Sequence, residues 1–205
     1  MKFFKKKRSS LLICVLLLAI ATVGTALAFV FMNTAAIQNS FGPSAVACAV
    51  IENNGKPITG ADFDTGSVKE RVQIKNTGTT DAYVRVAVVV NWKSDSGSVW
   101  AQKPVEGADG DYSISTDLAN GWVRGGDGYY YYTKAVMPDE MTNVLINTAQ
   151  LNEGRTAPQG YYLSIEIVAS AIQASPDEVV EEQWGGDNAG VTLNANNGTL
   201  TVSDK

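Results

Sequence analysis

Lys75 to Trp92 reads K-N-T-G-T-T-D-A-Y-V-R-V-A-V-V-V-N-W. Turn chemistry at Asn76-Thr77-Gly78 gives way to strict alternation. Ala82, Val84, Val86, Val88, Val90 and Trp92 fall on one face, and Tyr83, Arg85, Ala87, Val89 and Asn91 on the other. A β-branched run of period two fits a pleated surface with one side buried. Burying its four inward valines is worth roughly 6 to 12 kcal/mol before chain entropy is subtracted. The stretch is therefore read as a central strand of a β-sandwich core.

Outward from it, the chain continues in short strands separated by turns. Ala45 to Glu52 reads as a first strand closed by Asn53-Asn54-Gly55. Ser67 to Lys75 reads as an amphipathic strand, with Val68, Val72 and Ile74 inward and Lys69, Arg71, Gln73 and Lys75 outward. A polar excursion follows from Lys93 to Asn120, with a short strand at Tyr112 to Ser115. Then come Gly121-Trp122-Val123, the run Tyr129 to Tyr132, and a strand at Thr142 to Thr148. Tyr161 to Gln173 is the second long strand, with Tyr161, Leu163, Ile165, Ile167, Ala169 and Ala171 on one face. Ser175-Pro176-Asp177-Glu178 has the form of a capped helix start, and a short helix to Trp184 is expected. Val191 to Val202 reads as a hairpin turning at Asn196-Asn197-Gly198. Many short strands with only one helix in the body indicate an all-β, antiparallel sandwich.

The head has a different character. Lys2, Lys5, Lys6, Lys7 and Arg8 precede an apolar run from Leu11 to Met32, and Ala26-Leu27-Ala28 forms an A-x-A site. That order is a secretory signal. The run of about twenty residues is also long enough to span a bilayer as a helix. Two outcomes stay open: cleavage after Ala28 by a signal peptidase that reads Ala26 and Ala28, or retention of residues 1–32 as an anchor with its basic end in the cytoplasm. Both leave the body outside the cell, and contact with membrane is confined to residues 1–32. The organisation is thus residues 1–28 as signal or anchor and 29–43 as an extended, uncharged segment. Residues 44–185 form the sandwich and 186–205 a C-terminal tail or hairpin.

Charge and composition narrow the function. The head holds five of the 16 basic residues, leaving 11 against 21 acidic ones in the rest of the chain. A body this acidic repels nucleic acid. The chain has no histidine, which removes imidazole-based nucleophilic machinery and H-E-x-x-H zinc sites. No phosphate-binding glycine loop leads into a helix, so a non-enzymatic protein without cofactor is expected. Asp62 with Asp64 and Asp109 with Asp111 are acidic pairs without the spacing of a calcium loop. Cys48 is a lone thiol on a strand if the head, with Cys14, is removed.

Two surfaces remain as functional candidates. One is the segment carrying Phe29, Phe31, Ile37 and Phe41, able to add as a strand to a sheet edge of another copy. The other is aromatic: Trp100, Trp122, Tyr129, Tyr130, Tyr131 and Tyr132. The tyrosine run either packs within the strand or presents an exposed platform for sugars or a neighbouring subunit.

Several of these motifs together resemble the TasA/camelysin family of secreted Gram-positive matrix proteins. They are the K-K-K-R head with its apolar run, N-S-F at Asn39 to Phe41, V-Q-I-K-N-T-G at Val72 to Gly78 and D-A-Y-V-R-V at Asp81 to Val86. Trp122-Val123, D-G-Y-Y-Y-Y at Asp127 to Tyr132, I-Q-A at Ile172 to Ala174 and Gln183-Trp184-Gly185 complete the set. The resemblance implies a jelly-roll sandwich exported to the biofilm matrix or cell surface. It also implies self-assembly into fibres, in which the N-terminal segment of one subunit completes a sheet of the next. Camelysin-type relatives are described as metalloproteases, and this chain lacks the histidines that usually hold such a metal. The alternative reading is a membrane-anchored surface module with an aromatic face for a carbohydrate or other ligand.

Overall fold

A computed structural model describes residues 45–58, 60–64, 66–185, 190–194 and 198–202. The described residues belong to one compact unit. The expected signal or anchor, with Ala26 and Ala28, and the segment with Phe29, Phe31, Ile37 and Phe41 lie outside the described residues.

The chain order is β1 (Cys48–Ile51), α1 (Gly60–Asp64), β2 (Lys69–Asn76), β3 (Ala82–Lys93), β4 (Tyr112–Thr116), β5 (Trp122–Arg124), β6 (Tyr130–Tyr132), β7 (Ile146–Leu151), β8 (Tyr162–Gln173), α2 (Glu178–Trp184), β9 (Val191–Asn194) and β10 (Thr199–Val202). Strands pair as β1-β2-β7-β4 in sheet one, β5-β6-β3-β8 in sheet two, and β9-β10 as a hairpin. Every ladder is antiparallel. The protein is therefore all-β and sandwich-like.

The longest ladder joins β3 to β8, from Ala82 opposite Gln173 to Lys93 opposite Tyr162. Both strands alternate as their sequences predict. Val84, Val86, Trp92, Leu163 and Ile165 enter the main core, and Val88, Val90, Tyr161, Ile167, Ala169 and Ala171 pack against it. Val72, Ile74, Ile146 and Ala149 reach the same core from sheet one. At about 25 cal/mol per Å² of apolar area, this shared core is the main force holding the sheets together.

The turn before β3 explains its own residues. Asn76 is fully buried, and its amide donates to the carbonyls of Thr80 and Val136 (both 2.8 Å). Its Oδ1 accepts from the Gly78 N–H at 2.9 Å, so the side chain is satisfied on both ends. A Cβ on Gly78 would lie 2.3 Å from the Ala45 carbonyl oxygen, because the chain entering β1 passes directly over this turn.

Three local expectations need correcting. Lys69 does not face solvent: it is 3% exposed and ion-paired with Glu52, itself 8% exposed. Arg71 adopts φ 52°, which reverses the alternation, so that Glu70 and Arg71 both face out and Lys69 turns in. Opposite them, Asn147 and Thr148 also both face out, and β4 shifts register between Ser115 and Thr116. The strand expected at Thr142 to Thr148 consequently runs from Ile146 to Leu151, while Thr142 and Leu145 bond to Ile74 and Val72 ahead of it. Finally, the helix starts at Glu178 without a side-chain cap. The N–H groups of Val179 and Val180 donate to the carbonyls of Pro176 and Asp177, so Ser175 has no capping role.

Sheet two has a second covered face. Tyr83 and Tyr131 point away from the main core and are buried with Val180 and Trp184 of α2, Val191 of β9 and Leu200 of β10. The hairpin is fastened to the sheet by the Leu200 N–H donating to the Thr133 carbonyl (2.8 Å) and by the Tyr83 hydroxyl donating to the Gly198 carbonyl.

Candidate functional site

The six aromatic candidates do not share a surface. Trp122 is 1% exposed, donates its indole N–H to the Asn143 carbonyl at 3.0 Å and packs on Tyr132 with centroids 5.1 Å apart. Tyr132 lies in the main core, and Tyr130 packs against that core from a half-buried position. Tyr129 and Tyr131 point to the opposite face, where the C-terminal cover meets them. The period-two alternation of rings is present. The exposed platform is not, because the second face of the sheet, polar enough in sequence to read as solvated, is occupied by α2 and the hairpin.

That covered face carries an unusual cluster. The Arg85 guanidinium lies 4.4 Å from the Tyr129 centroid and 5.0 Å from the Trp184 centroid. Tyr131 meets Trp184 edge to face at 5.6 Å and donates its hydroxyl to Asp127 at 2.6 Å. Burial, reinforced by this bond to Asp127 and opposed by Arg85, pushes the Tyr131 phenol up to about 12. Arg85 Nε has no hydrogen-bond partner among the described residues. A guanidinium cannot serve as a base, and two aromatic faces are good neighbours for a weakly hydrated cation. The arrangement docks α2 on the sheet, and its key partner, Trp184, sits a hundred residues along the chain from Arg85.

Trp100 is the exception among the six. It follows the bridge between Lys93 and Val99, its N–H donates to the Trp92 carbonyl at 3.0 Å, and it remains 42% exposed. For a side chain that can bury roughly 250 Å², this leaves about 100 Å² uncovered, worth about 2.5 kcal/mol if a ligand covered it. Its ring packs edge to face on Tyr161 at 4.9 Å. Tyr161 in turn lines an open cleft of about 270 Å³ together with Asp64, Leu151 and the loop Arg155 to Gly160. Trp100 stands out in the sequence as an aromatic residue in a polar stretch, whereas the cleft leaves no local signal, because its residues come from α1, the end of β7 and the following loop. Burial raises the Asp64 pKa above the ordinary aspartate value.

Asp111 accepts from the Val105 N–H at 2.8 Å, which fixes its loop. Among the described residues no group of three or more His, Cys, Asp or Glu side chains is arranged to hold a metal. Cys48 is a free, half-buried thiol whose pKa burial pushes up. Among the described residues, no helix is long and apolar enough to cross a membrane.

The class that fold and surface define is an all-β, antiparallel sandwich-like protein with a covered second face and an open cleft lined by Tyr161. Compared with family models, curated proteins and solved structures, the chain finds no match.

Proposed function

We propose that this chain is a secreted structural protein of the extracellular matrix that assembles into fibres by strand addition, as its resemblance to the TasA/camelysin family implies. The observation that carries the reading is the position of β8. It is 12 residues long, ends its sheet and, among the described residues, ladders only with β3. The orders β8-β3-β6 and β2-β7-β4 support the jelly roll that the resemblance implies, while β1 and β5 depart from it by pairing with β2 and β6. In a jelly roll the first strand would neighbour the last, whereas here β1 is hydrogen-bonded to β2. The edge of β8 away from β3 has no ladder partner among the described residues, although α1 and β1 lie close to β8, and that edge is where the donated strand is placed.

The segment from Phe29 to Phe41 matches that place in length, since it and β8 each span roughly 40 Å when extended. It carries no charge, and Phe29, Phe31, Ile37 and Phe41 fall on one face of a period-two strand. Around ten ladder bonds at about 0.5 to 1.5 kcal/mol each, plus the buried rings, make a durable contact. Donation from one copy to the next is heterologous, does not close, and so builds a filament. The test is electron microscopy of the exported protein with and without residues 29–41. Fibres that disappear with the deletion are expected; a monomer persisting at high concentration in both forms overturns the proposal.

A further inference from the structure

We propose that the cleft between α1 and the β7–β8 loop, with Tyr161 as its aromatic wall and Trp100 packed behind that ring, binds β-linked oligosaccharides. Asp64 supplies a carboxylate acceptor, Arg155 a fork of donors, Gln159 an amide and Thr156 a hydroxyl. Planar polar side chains of these kinds are what neighbouring hydroxyls of a pyranose require, each hydroxyl both donating and accepting. Tyr161 adds the second element, an aromatic ring suited to the apolar C–H face that equatorial sugars present. It is braced by Trp100, which extends aromatic surface to the solvent.

Alternative ligand classes fit less well. A phosphate group wants several cations, and the cleft lining has one guanidinium set against one carboxylate. Nucleic acid is disfavoured by the excess of acid over base in the body of the chain. A peptide adding as a strand needs a free sheet edge, whereas this wall is a loop.

The loop is also held ready. The Arg155 N–H donates to the Asn152 carbonyl at 3.1 Å, and its guanidinium donates to the Asp109 carbonyl. Asn152 ties the same loop to the carbonyls of Gly107 (2.8 Å) and Gly110 (3.0 Å). The Tyr161 N–H closes onto the Pro158 carbonyl at 2.9 Å. A site whose walls are fixed before binding loses little ordering entropy when a ligand arrives. The cleft's openness at one end of the sandwich suits a polymer chain passing through it, of which about one ring would be held.

Isothermal titration calorimetry of the exported protein with cellohexaose, chitohexaose and xylohexaose, and with α-linked maltohexaose as control, tests the assignment. Binding of at least one β-linked probe is expected with a dissociation constant on the order of 10 µM to 1 mM. Trp100→Ala, a surface substitution, and Asp64→Asn are each expected to weaken it about tenfold or more. Binding unchanged in both variants overturns the proposal. So does the failure of every β-linked probe to bind at about 10 mM, or equal affinity for maltohexaose. Repeating the titration on protein lacking residues 29–41 separates this outcome from that of fibre assembly.

Discussion

Lys69 and Glu52 carry opposite charges into the interior, with side chains 4% and 10% exposed, and Glu52 also accepts from the Ile58 N–H at 3.1 Å. Removing one partner strands the other charge away from water, which costs about 3 to 5 kcal/mol in such settings. Lys69→Met is expected to lower unfolding free energy by that order in urea denaturation, and Lys69→Met with Glu52→Leu to recover most of it. This pair was not legible in the sequence: K-E-R-V-Q-I-K alternates as an exposed-lysine strand until Arg71 takes a positive φ. The tyrosines give a pH prediction. Tyr112, raised mainly by burial and further by Glu106, and Tyr131 both ionise at about 12 rather than 10.0. The folded state therefore holds these protons more tightly than the unfolded chain, and their contribution is complete below pH 10.0 and lost as pH rises toward about 12. Unfolding free energy measured through that window is expected to fall, and the fall should be shallower in Tyr131→Phe.

At the scale of elements, β3 and β8 were the most readable parts of the chain, because each is long enough for its period to be unmistakable. Truncating Val84, fully buried between the sheets, leaves a cavity that the second sheet holds open. Val84→Ala is expected to cost about 1 to 3 kcal/mol by thermal or chemical denaturation, since valine loses fewer atoms than the leucine and isoleucine cases. The C-terminal helix and hairpin tell the opposite story. Their sequence predicts a short helix and a hairpin but not where they dock. They supply Val180, Trp184, Val191 and Leu200, each at most 4% exposed, to the outer face of sheet two. Ending the chain after Gln173 is expected to remove several kcal/mol of stability and to raise binding of a hydrophobic dye, because Tyr83 and Tyr131 lose their cover. An unchanged melting temperature in the truncated protein would contradict this packing role. Gly78 links element to element as well: Gly78→Ala is expected to loosen the entry to β1, seen as faster hydrogen exchange at Thr77 and Thr79, whose N–H groups donate to Ala47 and Ala45.

At the scale of the molecule, the proposed fibre contact lies at the β8 edge and the proposed saccharide site in the cleft by Tyr161, which adjoins the first residue of β8, so the two proposals are tested by separate variants. A matrix protein with both would join its own fibres to surrounding polysaccharide. What the sequence determined by itself is what rests on local rules. Period-two valines made strands, Asn and Gly made turns, and the absence of histidine removed imidazole chemistry. All-β, antiparallel architecture follows from those rules because each strand must bury one face. What only the tertiary structure decided is which second face stays wet. Tyr83, Arg85, Tyr129 and Tyr131 read as the outer side of a sandwich, yet Trp184 and the hairpin close over them from a remote part of the chain. The same limit hid the cleft, whose carboxylate lies on α1 and whose guanidinium and ring lie on the β7–β8 connection, two segments far apart in the chain. Alternation records that a side chain leaves the plane of its sheet; it carries no record of what another part of the chain will place there.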